Sequence, residues 1–204
     1  MSGKIVLIAA FCFASALDTD IYIQSPRITD FGDWGEYEEC PPGMYVFGFQ
    51  LVSEEEQGAF GEDSALNGIY LLCLPFTARR NSPDFLSSYL SSGAFSMISS
   101  SVGHDGYSRG IFDCPPKYFA IGFELRTEPV QGILYDDTAA NNLRLICSNG
   151  RVLEGDGESW GEWTGAQTCP RDYLICGMQT QVEKPGAIDE TTLNNIKLRC
   201  CLEP

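Results

Sequence analysis

The chain is poor in the residues that most often carry catalysis or bind polyanions. It has a single histidine, His104. Nucleophilic triads need an imidazole beside the nucleophile, and a conventional zinc site needs several histidines or free thiols, so neither chemistry is well supplied. Only 13 lysines and arginines stand against 28 acids, for a formal charge of −15. No basic stripe interrupts that excess, which argues against nucleic acid and anionic membranes as partners. Solubility and mutual repulsion account for such a charge; attraction to cationic proteins of an extracellular coat is the alternative. After the amino terminus no stretch approaches the 18 or so apolar residues of a membrane span, and no N-x-[ST] acceptor has a permitted middle residue. No segment shows a convincing helical period.

The amino terminus is built differently. Lys4 precedes an apolar stretch from Ile5 to Phe13, and Ala14-Ser15-Ala16 follows with the small residues a signal peptidase requires. Residues 1–16 therefore read as a secretory signal peptide, leaving residues 17–204 as one extracellular domain without membrane insertion or cofactor. Cleavage removes Lys4 and Cys12, which takes the formal charge to −16 and leaves eight cysteines. Eight cysteines in a secreted chain imply four disulfides.

Three segments carry one pattern: 63–73 (DSALNGIYLLC), 137–147 (DTAANNLRLIC) and 190–200 (ETTLNNIKLRC). An acid and a hydroxyl are followed by Asn67, Asn141 or Asn194, then six residues later by Cys73, Cys147 or Cys200. Each copy ends in alternating apolar residues, the mark of a half-buried strand. A second shared block opens with Cys40-Pro41, Cys114-Pro115 or Cys169-Pro170 and carries Gly48, Gly122 or Gly177 eight residues after the cysteine. In the second copy Phe119, Ile121, Phe123 and Leu125 alternate with Ala120, Gly122, Glu124 and Arg126, which predicts one apolar and one polar face. A third block precedes the first cysteine, as in Trp34-Gly35-Glu36-Tyr37 and Trp160-Gly161-Glu162-Trp163, and a shorter strand opens the copy.

About four short strands per copy make the class all-β. The copies span about residues 28–74, 103–148 and 149–201, with a serine-rich insertion at 75–102 that reads as an extended loop or short helix packed outside. One four-stranded sheet cannot bury its own apolar face. Three antiparallel sheets around a pseudo-threefold axis share one core, and three copies favour a prism over a propeller.

Cys40 and Cys73 are 33 residues apart, as are Cys114 and Cys147, so these pairs close within their copies. Each loop stabilises by roughly 3–4 kcal/mol in the chain-entropy model. The third copy holds four cysteines, and two arguments conflict. Copy equivalence gives Cys169–Cys200 with Cys176–Cys201. Strand alternation puts Cys176 with Leu174 and Met178 on the core face together with Cys200, and favours Cys176–Cys200 with Cys169–Cys201.

The Trp-Gly-Glu start, the Cys-Pro turn, the Asp-[Ser/Thr]-Ala-x-Asn segment and the closing Cys200-Cys201 together resemble the vitelline membrane outer layer protein 1 family, over about residues 28–202. The resemblance implies a secreted β-prism of three Greek-key sheets. In birds it implies a component of the egg's outer vitelline coat, and it further implies binding or elongation of chitin-type oligosaccharides. Two places depart from the family pattern: Gly106-Tyr107-Ser108-Arg109-Gly110 in the second copy and the serine-rich insertion.

Features present in every copy belong first to the scaffold: the hydroxyls and asparagines suit turn and strand-end hydrogen bonds. The functional alternative is that Glu62, Asp63, Asp136, Asp137, Asp189 and Glu190 converge at one end of the prism, where carboxylates accept hydrogen bonds from sugar hydroxyls. Trp34, Trp160 and Trp163 stack on sugars if exposed, but their recurrence suits core or sheet-edge packing better. A glycosidase needs two carboxylates about 5–10 Å apart across a sugar, and nothing here selects such a pair. The expected function is a structural coat or barrier protein with glycan affinity, its partners being coat proteins and chitin-type oligosaccharides. An enzyme on N-acetylglucosamine oligomers and a soluble lectin-like defence factor are the alternatives.

Overall fold

The structure is a computed structural model that describes residues 20–54, 66–81, 93–129, 138–184 and 191–204. In chain order its strands are β1 (Ile21–Gln24), β2 (Asp33–Trp34), β3 (Glu38–Glu39), β4 (Met44–Ser53), β5 (Leu66–Pro75), β6 (Ser96–Ile98) and β7 (Tyr107–Asp113). They continue with β8 (Ala120–Thr127), β9 (Ala140–Cys147), β10 (Val152–Glu154), β11 (Glu162–Trp163), β12 (Gln167–Thr168), β13 (Tyr173–Val182) and β14 (Leu193–Leu202). One helix, α1 (Phe76–Asn81), follows β5. The all-β expectation holds.

Each copy supplies one long antiparallel pair, β4–β5, β8–β9 and β13–β14. The short edge strands do not stay with their own copy. β6 and β7 flank β5 and β4; β10 flanks β9, with β11 and β12 on β8; β1 flanks β14, with β2 and β3 on β13. Each long pair is thus completed by the short strands that follow it in sequence, and the first short strands of the chain complete the last pair. The chain closes into a ring. This corrects the equation of one copy with one sheet: a hairpin leaves both edges unpaired, and the next copy satisfies them. The serine-rich insertion accordingly contributes β6 and α1 to the fold.

Three equivalent layers fill the core. Ile69, Leu143 and Ile196 lie four residues before the closing cysteines; Leu71, Leu145 and Leu198 lie two before; Phe49, Phe123 and Met178 come from the partner strands. All nine are fully buried, and each stabilises the fold by roughly 1.5–3 kcal/mol relative to exposure. One core spans all three sheets.

The alternation that the sequence shows in β8 is interrupted. A β-bulge occurs at the same place in each long pair, with Phe47, Ile121 and Cys176 as the extra residues. Ala120, Phe123 and Leu125 face the main core, whereas Phe119 and Ile121 join a second apolar cluster with Tyr45, Phe47 and Leu174. An inserted residue flips the faces on either side of it. The recurrent glycine follows the bulge because a neighbouring strand passes close by: a Cβ at Gly48 would lie 2.5 Å from the Phe112 carbonyl oxygen, and one at Gly122 would lie 2.6 Å from that of Gln167.

The bulge also decides the cysteines. Cys40–Cys73 and Cys114–Cys147 form as expected. In the third copy the bonds are Cys169–Cys200 and Cys176–Cys201, which overturns the pairing favoured from strand alternation. Cys176 is the bulged residue, so it leaves the Met178 face, joins the second cluster beside Leu174, and meets Cys201 there.

Arg79 was not anticipated. It projects from α1 into the second cluster, fully buried, with its guanidinium 4.5 Å from the Phe47 ring centroid. It donates from Nε to the Tyr118 carbonyl at 2.8 Å and from a terminal nitrogen to that of Cys114, and it pairs with Asp113 at 3.5 Å. The Cys-Pro turn of the second copy is thereby pinned to the helix after the first. Burial holds the Asp113 carboxyl above its ordinary range, against the opposing pull of Arg79.

Arg199 on β14 reaches Asp20 and Glu39 at the ring closure, close to Tyr37, whose ring meets Tyr22 edge-on at 5.8 Å. Burial, reinforced by Glu39, pushes the Tyr37 hydroxyl well above the ordinary tyrosine range.

Two outcomes follow. Arg79→Met leaves buried carbonyls without a donor and Asp113 without its cation, and is expected to cost about 3 kcal/mol in guanidinium unfolding; an unchanged midpoint contradicts this role. A raised folded-state pKa at Tyr37 favours the neutral phenol, so its contribution is complete below the unfolded value of about 10 and is lost as pH rises through the folded value. Ultraviolet titration should show a tyrosine that ionises late, with stability falling across that window, and Tyr37→Phe should remove both effects.

Candidate functional site

The asparagines of the repeated motif stand second in β5, β9 and β14, at one end of each long pair. Glu62, Asp63, Asp136, Asp137, Asp189 and Glu190 are outside the described residues. The rest of the motif is scaffold. Thr191 donates its hydroxyl to Glu183 at 2.6 Å and accepts from the Asn194 amide at 2.8 Å. Thr138 donates to Glu128 at 2.9 Å and accepts from Asn141 at 3.0 Å. These pairs staple the two strands of the β8–β9 and β13–β14 hairpins. The acid in the staple escaped the sequence reading, although Glu54, Glu128 and Glu183 all stand fourteen residues after the first cysteine of their copies.

The aromatic positions need a different register from the one the sequence proposes. Gly32, Gly106 and Gly161 share a positive φ, each stands eight residues before a cysteine, and each packs on the backbone where β4, β8 or β13 ends. Trp34 is therefore equivalent to Trp163 rather than Trp160, and Ser108 takes their place in the second copy. Both tryptophans are half-buried on edge strands. A cation covers each: the Lys197 ammonium lies 4.7 Å from the Trp34 ring centroid, and the Arg144 guanidinium 3.8 Å from that of Trp163. Sheet-edge packing, not core packing, explains their recurrence.

At the corner between the β13–β14 sheet and the β4–β5 sheet the symmetry breaks. Asn142 and Asn195 each cap the amide of the following residue. The first copy has Gly68 there, and a Cβ on it would come within 2.5 Å of Val102. The segment 99–104 uses that space to cross the end of the prism as a strap. It is tied down by Thr180 Oγ1 to the Ser101 carbonyl (2.7 Å), Gly103 N to the Asn67 carbonyl (2.7 Å) and Ser100 Oγ to the Glu36 carbonyl (2.6 Å).

A cleft of about 380 Å³ opens between the strap and the edge of the sheet. Asp33, Trp34, Gly35 and Glu36 form one wall, Ser101 to His104 the other, and Val182, Glu183 and Lys184 the floor beside the third turn. Its size suits a small ligand. Lys184 pairs with Asp33 at 3.3 Å, both exposed, and such a pair contributes little stability. His104, placed by the sequence only at the margin of a copy, reaches this cleft; its imidazole stands 2.9 Å from Asp105, and both side chains are about half exposed. Among the described residues no group of three or more histidine, cysteine or acidic side chains is arranged to hold a metal.

With this geometry in view, the family can be stated. The model of the vitelline membrane outer layer protein I family matches residues 21–203. The chain belongs to that family. A Mus musculus vitelline membrane outer layer protein 1 homolog is 34% identical over 210 residues, covering 97% of this chain and 94% of the relative. The Homo sapiens homolog is 38% identical over 180 residues, covering 86% and 81%. Among solved structures, the agglutinin of Calystegia sepium superposes with a TM-score of 0.55 at 10% identity, over 92% of this chain and all of the lectin. A jacalin related lectin from Ananas comosus gives 0.51 at 10% identity, over 90% and 98%. At such identities these neighbours establish the fold, a β-prism, and nothing more.

The hydroxyl staple predicts its own test. Thr191→Val removes the donor to Glu183 and the acceptor for Asn194, with an expected cost of about 2 kcal/mol and faster amide exchange at the start of β14. Exchange at wild-type rates contradicts the staple.

Proposed function

We propose that this protein is a secreted structural component of an extracellular coat or barrier that binds glycans, of the chitin-type oligosaccharide class, in the cleft between Trp34 and the strap. One observation carries the reading: a half-buried indole lines a cleft whose other polar groups are mostly acceptors. Sugar rings offer an apolar C–H face for such a ring and hydroxyls for such acceptors. Four disulfides and one shared core give the rigid body that a coat component needs. Family membership and a lectin-like fold support the same reading, and the Ananas comosus neighbour is itself described as mannose binding.

The proposal extends to residues 1–16 as the secretory leader, to 17–204 as the mature domain, and to Glu62, Asp63, Asp136, Asp137, Asp189 and Glu190 as further acceptors for sugar hydroxyls. No catalytic step is assigned to His104. Calorimetric titration of the secreted protein with chitooligosaccharides, with product analysis alongside, tests it. Saturable binding of unprocessed oligosaccharide is expected, weakened about tenfold or more in Trp34→Ala by loss of the stacking face. Absence of binding, or wild-type affinity in Trp34→Ala, contradicts the assignment.

A further inference from the structure

The cleft is chemically one-sided. Asp33, Glu36 and Glu183 bring three carboxylates to its lining, against one ammonium from Lys184. Ionised carboxylates accept hydrogen bonds and donate none. Glu183 already takes Thr191, and Asp33 takes Lys184. Glu36 is exposed on the wall beside Trp34, its backbone carbonyl is held by Ser100, and among the described residues its carboxylate meets no cation. The strap adds the Ser101 hydroxyl and His104 as the nearby donors. A chain with a formal charge of −15 reinforces this local field and does not offset it.

We infer that the cleft selects sugars bearing a free, protonated amine, glucosamine oligomers of the deacetylated chitin type, over their N-acetylated counterparts. The inference rests on the glycan reading above and sharpens it. An ammonium on the sugar supplies three donors where the wall offers an unpaired acceptor, and the pyranose C–H face rests on Trp34. An acetamide removes the charge and two of those donors, and it brings a carbonyl oxygen toward carboxylates that cannot donate to it. The acetamide N–H that remains is a neutral donor and makes a weaker hydrogen bond to Glu36, and placing the acetyl oxygen against acceptors carries a desolvation cost. Lys197 already occupies one approach to the Trp34 ring, 4.7 Å from its centroid, so the sugar cation is directed to Glu36 and not onto the indole.

The experiment is a three-way calorimetric comparison on the intact secreted protein at mildly acid pH. The probes are glucosamine tetramer, N-acetylglucosamine tetramer and a lysine tetrapeptide, each at low and at physiological salt. Glucosamine tetramer is expected to bind about tenfold tighter than its acetylated form, as one charge-assisted hydrogen bond allows, with a margin that shrinks as salt screens the charge. Glu36→Gln should erase that margin while retaining the wild-type melting temperature, and Trp34→Ala should weaken both sugars. Equal or tighter binding of the acetylated tetramer overturns the amine selectivity and leaves the glycan reading standing. Lysine tetrapeptide binding as tightly as glucosamine tetramer overturns the sugar assignment in favour of a cleft that reads charge alone. Binding of neither sugar overturns this inference together with the reading on which it rests.

Discussion

Each long hairpin in this protein has one apolar face and two unpaired edges, and neither can be satisfied within the copy that makes it. The rest of the structure answers those two needs. Three faces turned inward produce the layered core of Ile69, Leu143 and Ile196 with their neighbours. The edges are paired by short strands passed on from the next copy, so β1, β2 and β3 at the start of the described chain become the edges of the β13–β14 sheet near its end. The outer strands also approach one another at the corners, β1 with β12 and β10 with β7, which leaves little open edge for another chain to join.

Much of this was legible in the sequence because repetition multiplies weak signals. The all-β class, the three copies, the prism and two of the four disulfides came from spacing and alternation alone. The failures have a common physical origin. Alternation assumes that every residue advances the pleat by one step, and the bulges at Phe47, Ile121 and Cys176 break that assumption in the first half of each first long strand. The same error misassigned Phe119 and Ile121 and inverted the pairing of the third copy. Copy equivalence succeeded there because it does not depend on which face a residue occupies. The fixed interval from Gly32, Gly106 and Gly161 to the following cysteine would likewise have set the tryptophan register correctly.

The cleft was illegible for a different reason. It arises between the edge carrying Trp34 and the strap, which follows β6 as residues 155–159 follow β10 but differs from them in sequence. Its residues come from three regions remote in sequence, and only Trp34, Gly35 and Glu36 among them belong to a motif the repeat displays. Gly68 leaves room for Val102, whereas in the second copy the larger Asn142 faces Gly157. The scaffold is thus written three times, and the side chains that line this cleft are not. Arg79 was equally hidden, since a charged residue after a strand reads as solvated surface until α1 carries it into the second cluster.

The central claim is that exchanged edges and a shared interior make the three sheets one cooperative unit. Trp34 reports on the β13–β14 sheet and Trp163 on the β8–β9 sheet. Fluorescence-monitored guanidinium unfolding of two variants, each retaining one of these as its single tryptophan, measures the two sheets separately. Once each variant is referenced to its own far-ultraviolet transition, the account predicts that fluorescence and secondary structure are lost together in both. A sheet whose fluorescence changes before or after the rest of the secondary structure would contradict it.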